Sequence, residues 1–495
     1  MSLANQVATN TISQVVGRIV TTALSLVTVS VLNSSLGPER WGLLSSVTLF
    51  GTFFAVAADM GLTTYYLREG SRLTGGRGAL TTKVVTFRVL TAAVLLALAP
   101  LIAMAIPAYH QLVLPVALIS LGQFVLLLNQ VFVSIFQLEL AMARASFGDA
   151  VGRTLILILT LLVVRSAAPE SQLVLASTAV LCGGILNLAI SFLLSRRYVK
   201  LSFGITYADF KKLLRDVSPL AILAVLTVLH FKVDSFLLVL LRNPVEVGIY
   251  ANSYKIMEIL LVLPSMFVGS LFPAFAEALD TKKERLSHLF ETAAGLLLWS
   301  VLPIVVLVSL FAPYIMAVLT RVNIFEAAGA LQVLSLALFA WFIGSLLSHI
   351  LVVARKQKLL VQVKLTMLAL NLVANLVVIP QYGYMGAAWV TVATETLSAF
   401  VLLVLAGTQL QLKLPLKKYL PMLTLAVCFG VALYLLKGAL DRVLLERFLE
   451  ISRSLQGLFV VSLGAMVVVS YLFLGKLTNS LPQQLVAWMG RIESR

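Results

Sequence analysis

The chain has 495 residues, 60% of them apolar and 12% charged, with a mean hydropathy of +1.01. Soluble globular domains are about 45–50% apolar and about 25% charged, so these figures exclude a soluble enzyme. The 37 Lys and Arg outnumber the 21 Asp and Glu, a net charge of +16. In a soluble protein that excess points to nucleic acid, and in a membrane protein to a basic cytoplasmic face.

A helix needs about 20 apolar residues to cross the hydrocarbon core of a bilayer. The apolar runs fall at 11–32, 43–66, 84–106, 114–138, 150–164, 173–195 and 217–241, then at 249–276, 289–312, 331–353, 365–379, 387–407, 419–436 and 456–475. The pattern predicts an all-α, polytopic membrane protein with about 14 transmembrane helices. The first run is too long for a signal-peptide core and is expected to stay in the mature chain. Cys182 and Cys428 both lie in apolar runs, without a CxxC motif, and are expected to be inert buried thiols.

With the N-terminus inside, 26 Lys and Arg fall in cytoplasmic segments, among them Arg68, Arg72, Lys83, Arg88, Arg144, Arg196 and Arg197. Eight fall in outer segments, and Arg18, Lys232 and Lys255 fall inside spans. The asymmetry predicts both termini on the cytoplasmic side of the plasma membrane. It also makes the +16 a matter of topology, with no nucleic-acid partner, and puts the excess where anionic membrane lipids lie. Two connecting segments are amphipathic. In 205–217, Phe210, Leu213, Leu214 and Val217 oppose Lys211, Lys212 and Arg215, which suits a helix lying in the interface. In 441–452, Val443, Leu444, Phe448 and Leu449 oppose Arg442, Glu446, Arg447 and Glu450, which suits an interfacial helix or a hairpin cap.

The chain carries an internal echo. Leu36-Gly37-Pro38-Glu39-Arg40-Trp41-Gly42 joins the first two runs, and Asn243-Pro244-Val245-Glu246-Val247-Gly248 joins the seventh and eighth. Both read Pro-x-x-x-Gly, 206 residues apart, with Pro presetting a turn and Gly permitting close backbone approach. Two six-span lobes, 1–200 and 217–410, joined by a cytoplasmic linker at 201–216, account for that spacing as a parallel repeat. Residues 411–495 then add two helices and a cytoplasmic tail.

Several stretches resemble Wzx-like polysaccharide flippases of the multidrug/oligosaccharidyl-lipid/polysaccharide exporter (MOP) superfamily. They are LGPERWG at 36–42, Ala58-Asp59-Met60-Gly61-Leu62, Val233-Asp234-Ser235, Val247-Gly248-Ile249-Tyr250 and Tyr254-Lys255-Ile256, with Leu271-Phe272-Pro273-Ala274-Phe275 and the segment from Ile379 to Ala388. The resemblance covers the first twelve runs. It implies a MATE-like V of two six-helix lobes, with a central cavity lined largely by spans 1, 2, 7 and 8. It also implies alternating-access movement of undecaprenyl-pyrophosphate-linked sugars or of drugs.

An ionisable group within hydrocarbon costs several kcal/mol, so each one needs a reason. Arg18, Lys232 and Lys255 fall in spans that the resemblance assigns to the cavity. Lys255, seven residues past Gly248, sits about 10 Å deep at ~1.5 Å per residue. Cations there could hold pyrophosphate, while Asp234 and Glu258 could instead neutralise Lys232 and Lys255, the latter pair being i, i+3. Asn252 and Tyr254 are candidates for sugar hydroxyls, as are Asn129, Gln130, Asn371 and Asn375, for which helix–helix hydrogen bonding is the competing role. Asp59, Asp234, Glu258 and Glu395 are candidates for coupling to H+ or Na+, because a desolvated carboxylate binds either. Asp59 has a structural pairing as its alternative, and Glu291, near a helix end, is expected to reach the interface.

Nothing in the sequence calls for a cofactor or a metal. Gly70 and Gly75 have P-loop spacing, but Gly76 stands where the lysine belongs. His110, His230, His288 and His349 are scattered, without zinc spacing. The function expected is translocation of a lipid-linked oligosaccharide for surface polysaccharide assembly, with a polysaccharide polymerase or chain-length protein as a partner. A cation-coupled multidrug exporter of the same fold is the first alternative. A membrane-embedded glycan polymerase or ligase is the second, disfavoured by outer loops too short for a catalytic ectodomain.

Overall fold

A computed structural model describes residues 3–73, 77–199, 202–281 and 283–478. Among them there are only helices and turns, as a chain that must satisfy its backbone hydrogen bonds within lipid requires. The helices are α1 (Leu3–Asp59), α2 (Leu62–Arg72), α3 (Arg77–Ala105), α4 (Val113–Leu138), α5 (Met142–Ser166), α6 (Gln172–Ser195) and α7 (Tyr207–Leu241). They continue as α8 (Pro244–Thr281), α9 (Lys283–Leu319), α10 (Ile324–Val353), α11 (Gln357–Leu410), α12 (Leu416–Glu450) and α13 (Arg453–Leu477). Eleven helices among the described residues are long and apolar enough to cross a membrane. The protein is a multi-pass membrane protein.

Two of these helices are too long for one crossing. At ~1.5 Å per residue, a straight α1 of 57 residues would span about 85 Å, against a hydrocarbon core of about 30 Å. The backbone leaves the helical region at Gly37 (φ 73°, ψ 170°), beside Pro38, where the sequence places its first turn. In α11, Gly383 (φ 57°, ψ −140°) interrupts 54 residues. Asn371 and Thr394 would be about 35 Å apart along an unbroken helix, yet Asn371 Nδ2 donates to Thr394 Oγ1 over 2.9 Å. The chain therefore reverses at Gly383, and the two arms of α11 pack on each other.

The chain forms two compact units, Met1–Gly248 and Ile249–Arg495. The division falls inside α8, so α7, which the sequence reading gives to the second lobe, lies in the first unit. The amphipathic segment at 205–217 is not a separate interfacial helix. It forms the first turns of α7, and Leu213 and Val217 are buried in a core with Tyr66, Phe87 and Phe136. Periodicity shows that one face is apolar, but not whether lipid or protein covers it. Lys83 of α3 donates to Asp209 over 3.0 Å, and the Thr206 hydroxyl also donates to that carboxylate. These bonds hold the Asp209 carboxyl below its usual range and pin the start of α7.

In the second unit, α12 and α13 dock on α9 through Trp299, Tyr419, Phe429 and Tyr471. Lys418 of α12 meets the Glu291 carboxylate at 3.4 Å, and Tyr419 donates to the Glu291 carbonyl at 2.8 Å. The segment at 441–452, expected as an interfacial helix or a hairpin cap, is not a separate helix but continues α12 as far as Glu450, where α13 soon follows, and Phe448 packs on Tyr314. Cys428 is exposed rather than buried, because the outer face of a membrane helix is itself apolar. The expected cytoplasmic tail, from 479 onward, lies outside the described residues.

The two halves of the echo meet within the first unit. A methyl group on Gly42 would stand 1.7 Å from the carbonyl oxygen of Pro244, and one on Gly248 would stand 2.9 Å from that of Pro38. Each turn thus fills the place that a side chain would need on the other. G42A should lower the unfolding temperature of the detergent-purified protein by the equivalent of about 3 kcal/mol or more, since a backbone carbonyl cannot swing aside. G37A, with nothing within 4 Å but a positive φ, should cost about 1–2 kcal/mol. Equal losses in the two variants would show that the crossing is not tight.

Candidate functional site

The deepest charge in the first unit is one that sequence counting assigns to a loop. Arg88 lies within α3 and is only 1% exposed. Its Nη1 donates to the Leu127 carbonyl at 2.8 Å, and its Nη2 donates to Asp59 and to Thr63 Oγ1. The Thr63 hydroxyl stands 3.1 Å from Asp59 Oδ1 and 3.3 Å from Gln130 Oε1. The other Asp59 oxygen accepts from the Gly61 amide at 3.1 Å. Asp59 closes α1, and Met60 and Gly61 both have positive φ before α2 begins. The pair therefore fixes the break between α1 and α2, which is the structural role weighed for Asp59. Of the polar candidates, Gln130 belongs to this cluster. The signal that could have found Arg88 is its place five residues into an apolar run.

The remaining first-unit candidates are more dispersed. Arg18 is exposed on α1 among exposed Val15, Val16 and Ile19. Among the described residues it makes no ion pair. On α7, Lys232 is half-buried and Asp234 is buried, with Asp234 Oδ1 accepting from the Ser235 amide at 2.6 Å.

In the second unit, α8 carries four candidates within two turns. Asn252 and Tyr254 are each 4% exposed, and the Tyr254 ring lies 5.5 Å from that of Tyr250. Ser253 Oγ donates to the Ala327 carbonyl of α10 over 2.7 Å, fixing this turn. Lys255 and Glu258 form the expected i, i+3 ion pair at 3.3 Å, their side chains 39% and 37% exposed. Both are therefore accessible to a ligand. On α11, Glu395 is buried beside a polar cluster in which Asn375 Nδ2 donates to Asn371 Oδ1 at 2.8 Å and Asn371 donates to Thr394. Asn371 and Asn375 thus tie helix arms together. An apolar groove of about 340 Å³ between α9, α10 and α12, lined by Leu302, Val306, Phe339, Ala426 and Tyr434, holds none of the charged candidates.

A sequence profile described as "polysaccharide biosynthesis protein" matches residues 7–279, more than half of the chain. The chain belongs to that family. No curated protein matches it. Among solved structures, it is similar to the lipid II flippase MurJ in an inward closed conformation. The TM-score is 0.72 at 14% identity, covering 93% of this chain and 98% of that one. It is also similar to an inward-facing multidrug-resistance MATE transporter of the MOP superfamily, with a TM-score of 0.61 at 17% identity over 79% and 94% of the two chains. A third similarity is to a MOP-superfamily transporter from Pyrococcus furiosus described by the reverse polarity of its binding pocket, with a TM-score of 0.58 at 17% identity over 82% and 95%. These identities establish the MOP-type fold alone, and the family match adds polysaccharide biosynthesis to it.

For this family member, the Asp59–Arg88 pair gives a prediction separate from transport. Removing one partner of a buried ion pair leaves the other uncompensated and costs about 3–5 kcal/mol. D59N and R88Q should each lower thermal stability sharply, and the D59N/R88Q double variant should lose much less than the two losses combined. A double-mutant cycle on purified protein checks this, and additive losses would argue against the pairing.

Proposed function

We propose that this protein is a flippase that carries an undecaprenyl-pyrophosphate-linked oligosaccharide from the cytoplasmic to the outer leaflet of the plasma membrane for surface polysaccharide assembly. Family membership carries the reading. Its chemistry rests on Lys255, a cation seven residues past Gly248 in an apolar helix, next to buried Asn252 and Tyr254 and exposed enough to meet an anion. An ammonium in such a place attracts phosphate strongly, and the Arg18 guanidinium can grip it with two bonds. Lys232 is the third cation of this reading. Asn252 and Tyr254 supply hydrogen bonds for sugar hydroxyls.

In this proposal α1 and α11 each cross the membrane twice, so that about fourteen spans alternate with both termini inside. Moving Arg88 from the loop count into a span leaves the excess of cytoplasmic cations intact. Movement of the lobes against each other would expose the cargo to the two leaflets in turn, and a polysaccharide polymerase or chain-length protein would receive it. Coupling to H+ or Na+ is assigned to acids within spans. Glu395 leads, being buried in a polar cluster, followed by Asp234 and Glu258, with Asp59 last because Arg88 already occupies it.

A cation-coupled multidrug exporter is the second reading, favoured by the MATE-like fold. It predicts an acidic cleft, and Arg18, Lys232 and Lys255 speak against that.

The test uses proteoliposomes loaded with a pyrophosphate-linked oligosaccharide. R18Q and K255Q should each cut translocation at least tenfold while still inserting and remaining folded. Full transport by both variants would overturn the substrate assignment, and transport of cationic drugs alone would favour the exporter. The ion step is read separately, by imposing a pH or Na+ jump on the same vesicles. E395Q should flatten the response to one of the two jumps, and an unchanged ion dependence removes Glu395 from the coupling path.

A further inference from the structure

Where the start of α5 meets the chain just past the end of α6, the first unit gathers three arginines around two aromatic rings. Arg144 stands at the start of α5, its guanidinium carbon 5.0 Å from the Tyr198 ring centroid, and it donates to the Tyr198 hydroxyl. Arg197 approaches the same ring at 6.0 Å, and Arg196 lies 6.0 Å from the Phe192 ring. The Tyr198 ring is not free to drift, because it packs edge-on against fully buried Phe136 at 6.2 Å. Two like charges are thus held against one anchored ring. Among the described residues, no carboxylate lies within ion-pair distance of any of the three guanidinium groups. Three other cations of this unit are paired with acids: Arg153 with Asp149, Lys83 with Asp209 and Arg68 with Glu69.

The level of this cluster is set by its neighbours. Phe192 is 39% exposed and Leu193 60%, and one turn further Arg196 and Arg197 are exposed. On α5, Phe147 is 59% exposed one turn beyond Arg144. Apolar side chains open to the outside on both helices, followed within a turn by guanidinium groups, mark the boundary between acyl chains and headgroups. A planar guanidinium stacked on a ring keeps its N–H edge available for a phosphate, and several converging arginines without acids raise affinity for anionic headgroups.

We infer that Arg144, Arg196 and Arg197, arrayed on Tyr198 and Phe192, form a binding site for the phosphate of an anionic membrane phospholipid at the start of α5 and the end of α6. The site is separate from the cargo residues Arg18, Lys232 and Lys255 and holds whether the cargo is a lipid-linked glycan or a drug. It fixes this end of the bundle to a headgroup layer of negative charge.

Native mass spectrometry of the full-length protein, released from nanodiscs with equal phosphatidylglycerol and phosphatidylcholine, tests the site. The wild type should retain phosphatidylglycerol in preference, and R144Q/R197Q should reduce that preference at least about tenfold. R196Q/R197Q changes only exposed side chains, so it should fold normally and give a smaller drop in the same direction. R144K/R197K, which keeps the charge but loses the planar fork, should recover only part of the preference. Unchanged lipid ratios in the variants would overturn the site. So would displacement of phosphatidylglycerol by millimolar inorganic pyrophosphate in the wild type but not by inorganic phosphate, which would mark a pyrophosphate cargo contact instead. If R18Q fails the transport test while R196Q/R197Q loses its lipid preference, the two assignments are separated.

Discussion

Within the first unit, the carbonyl oxygens of Pro38 and Pro244 each occupy the space in which the facing turn would otherwise carry a side chain. In lipid there is no water to expel between helices, so their association rests on close van der Waals packing and on hydrogen bonds. A backbone-to-backbone approach of this kind is available only where both partners are glycine. It places the break of α1 against the start of α8. Because the two turns are copies of one Pro-x-x-x-Gly pattern, the contact has the reciprocity of a homodimer interface built within one chain.

The Arg88 cluster shows a second constraint. A guanidinium that is 1% exposed within a membrane helix draws on protein partners, and Asp59, Thr63 and the Leu127 carbonyl meet its two terminal nitrogens, while its buried Nε has no hydrogen-bond partner among the described residues. Asp59 is drawn into this task at the point where two consecutive residues take left-handed backbone angles. The same acid cannot serve freely as an ion carrier while it holds Arg88. Glu395 stands in the second unit, buried on an arm of α11 that packs on the arm carrying Asn371 and Asn375 and itself carries Thr394.

The all-helical class, the turn at Gly37, the break near Gly383 and the Lys255–Glu258 pair were all legible in the sequence. Each depends on local spacing: the length of an apolar run, a Pro-x-x-x-Gly turn, or two charges three residues apart on one helix. What was not legible depends on long-range contact. The apolar face at Phe210, Leu213 and Val217 was visible, but that protein rather than lipid covers it was not. Arg88 reads as one more basic residue near a loop until α1 and α4 are brought beside it. The meeting of Gly42 with Gly248 was hidden for the same reason, although the repeat itself was plain. Tyr198 gave no signal, since nothing along the chain shows that Arg144, from the start of α5, joins the adjacent Arg197 on its ring.

The ion pair on α8 has a thermodynamic corollary. Lys255 and Glu258 each satisfy part of the other's charge, so a phosphate that draws Lys255 away takes a partner from Glu258. Under reciprocal linkage, whatever neutralises Glu258 must then bind more tightly when the phosphate is present, and the phosphate more tightly when Glu258 is neutralised. The coupling energy is bounded by what the pair is worth, which for side chains more than a third exposed is at most about 1 kcal/mol. Such a link could bias which of two ligands arrives first, but could not by itself drive transport against a steep gradient.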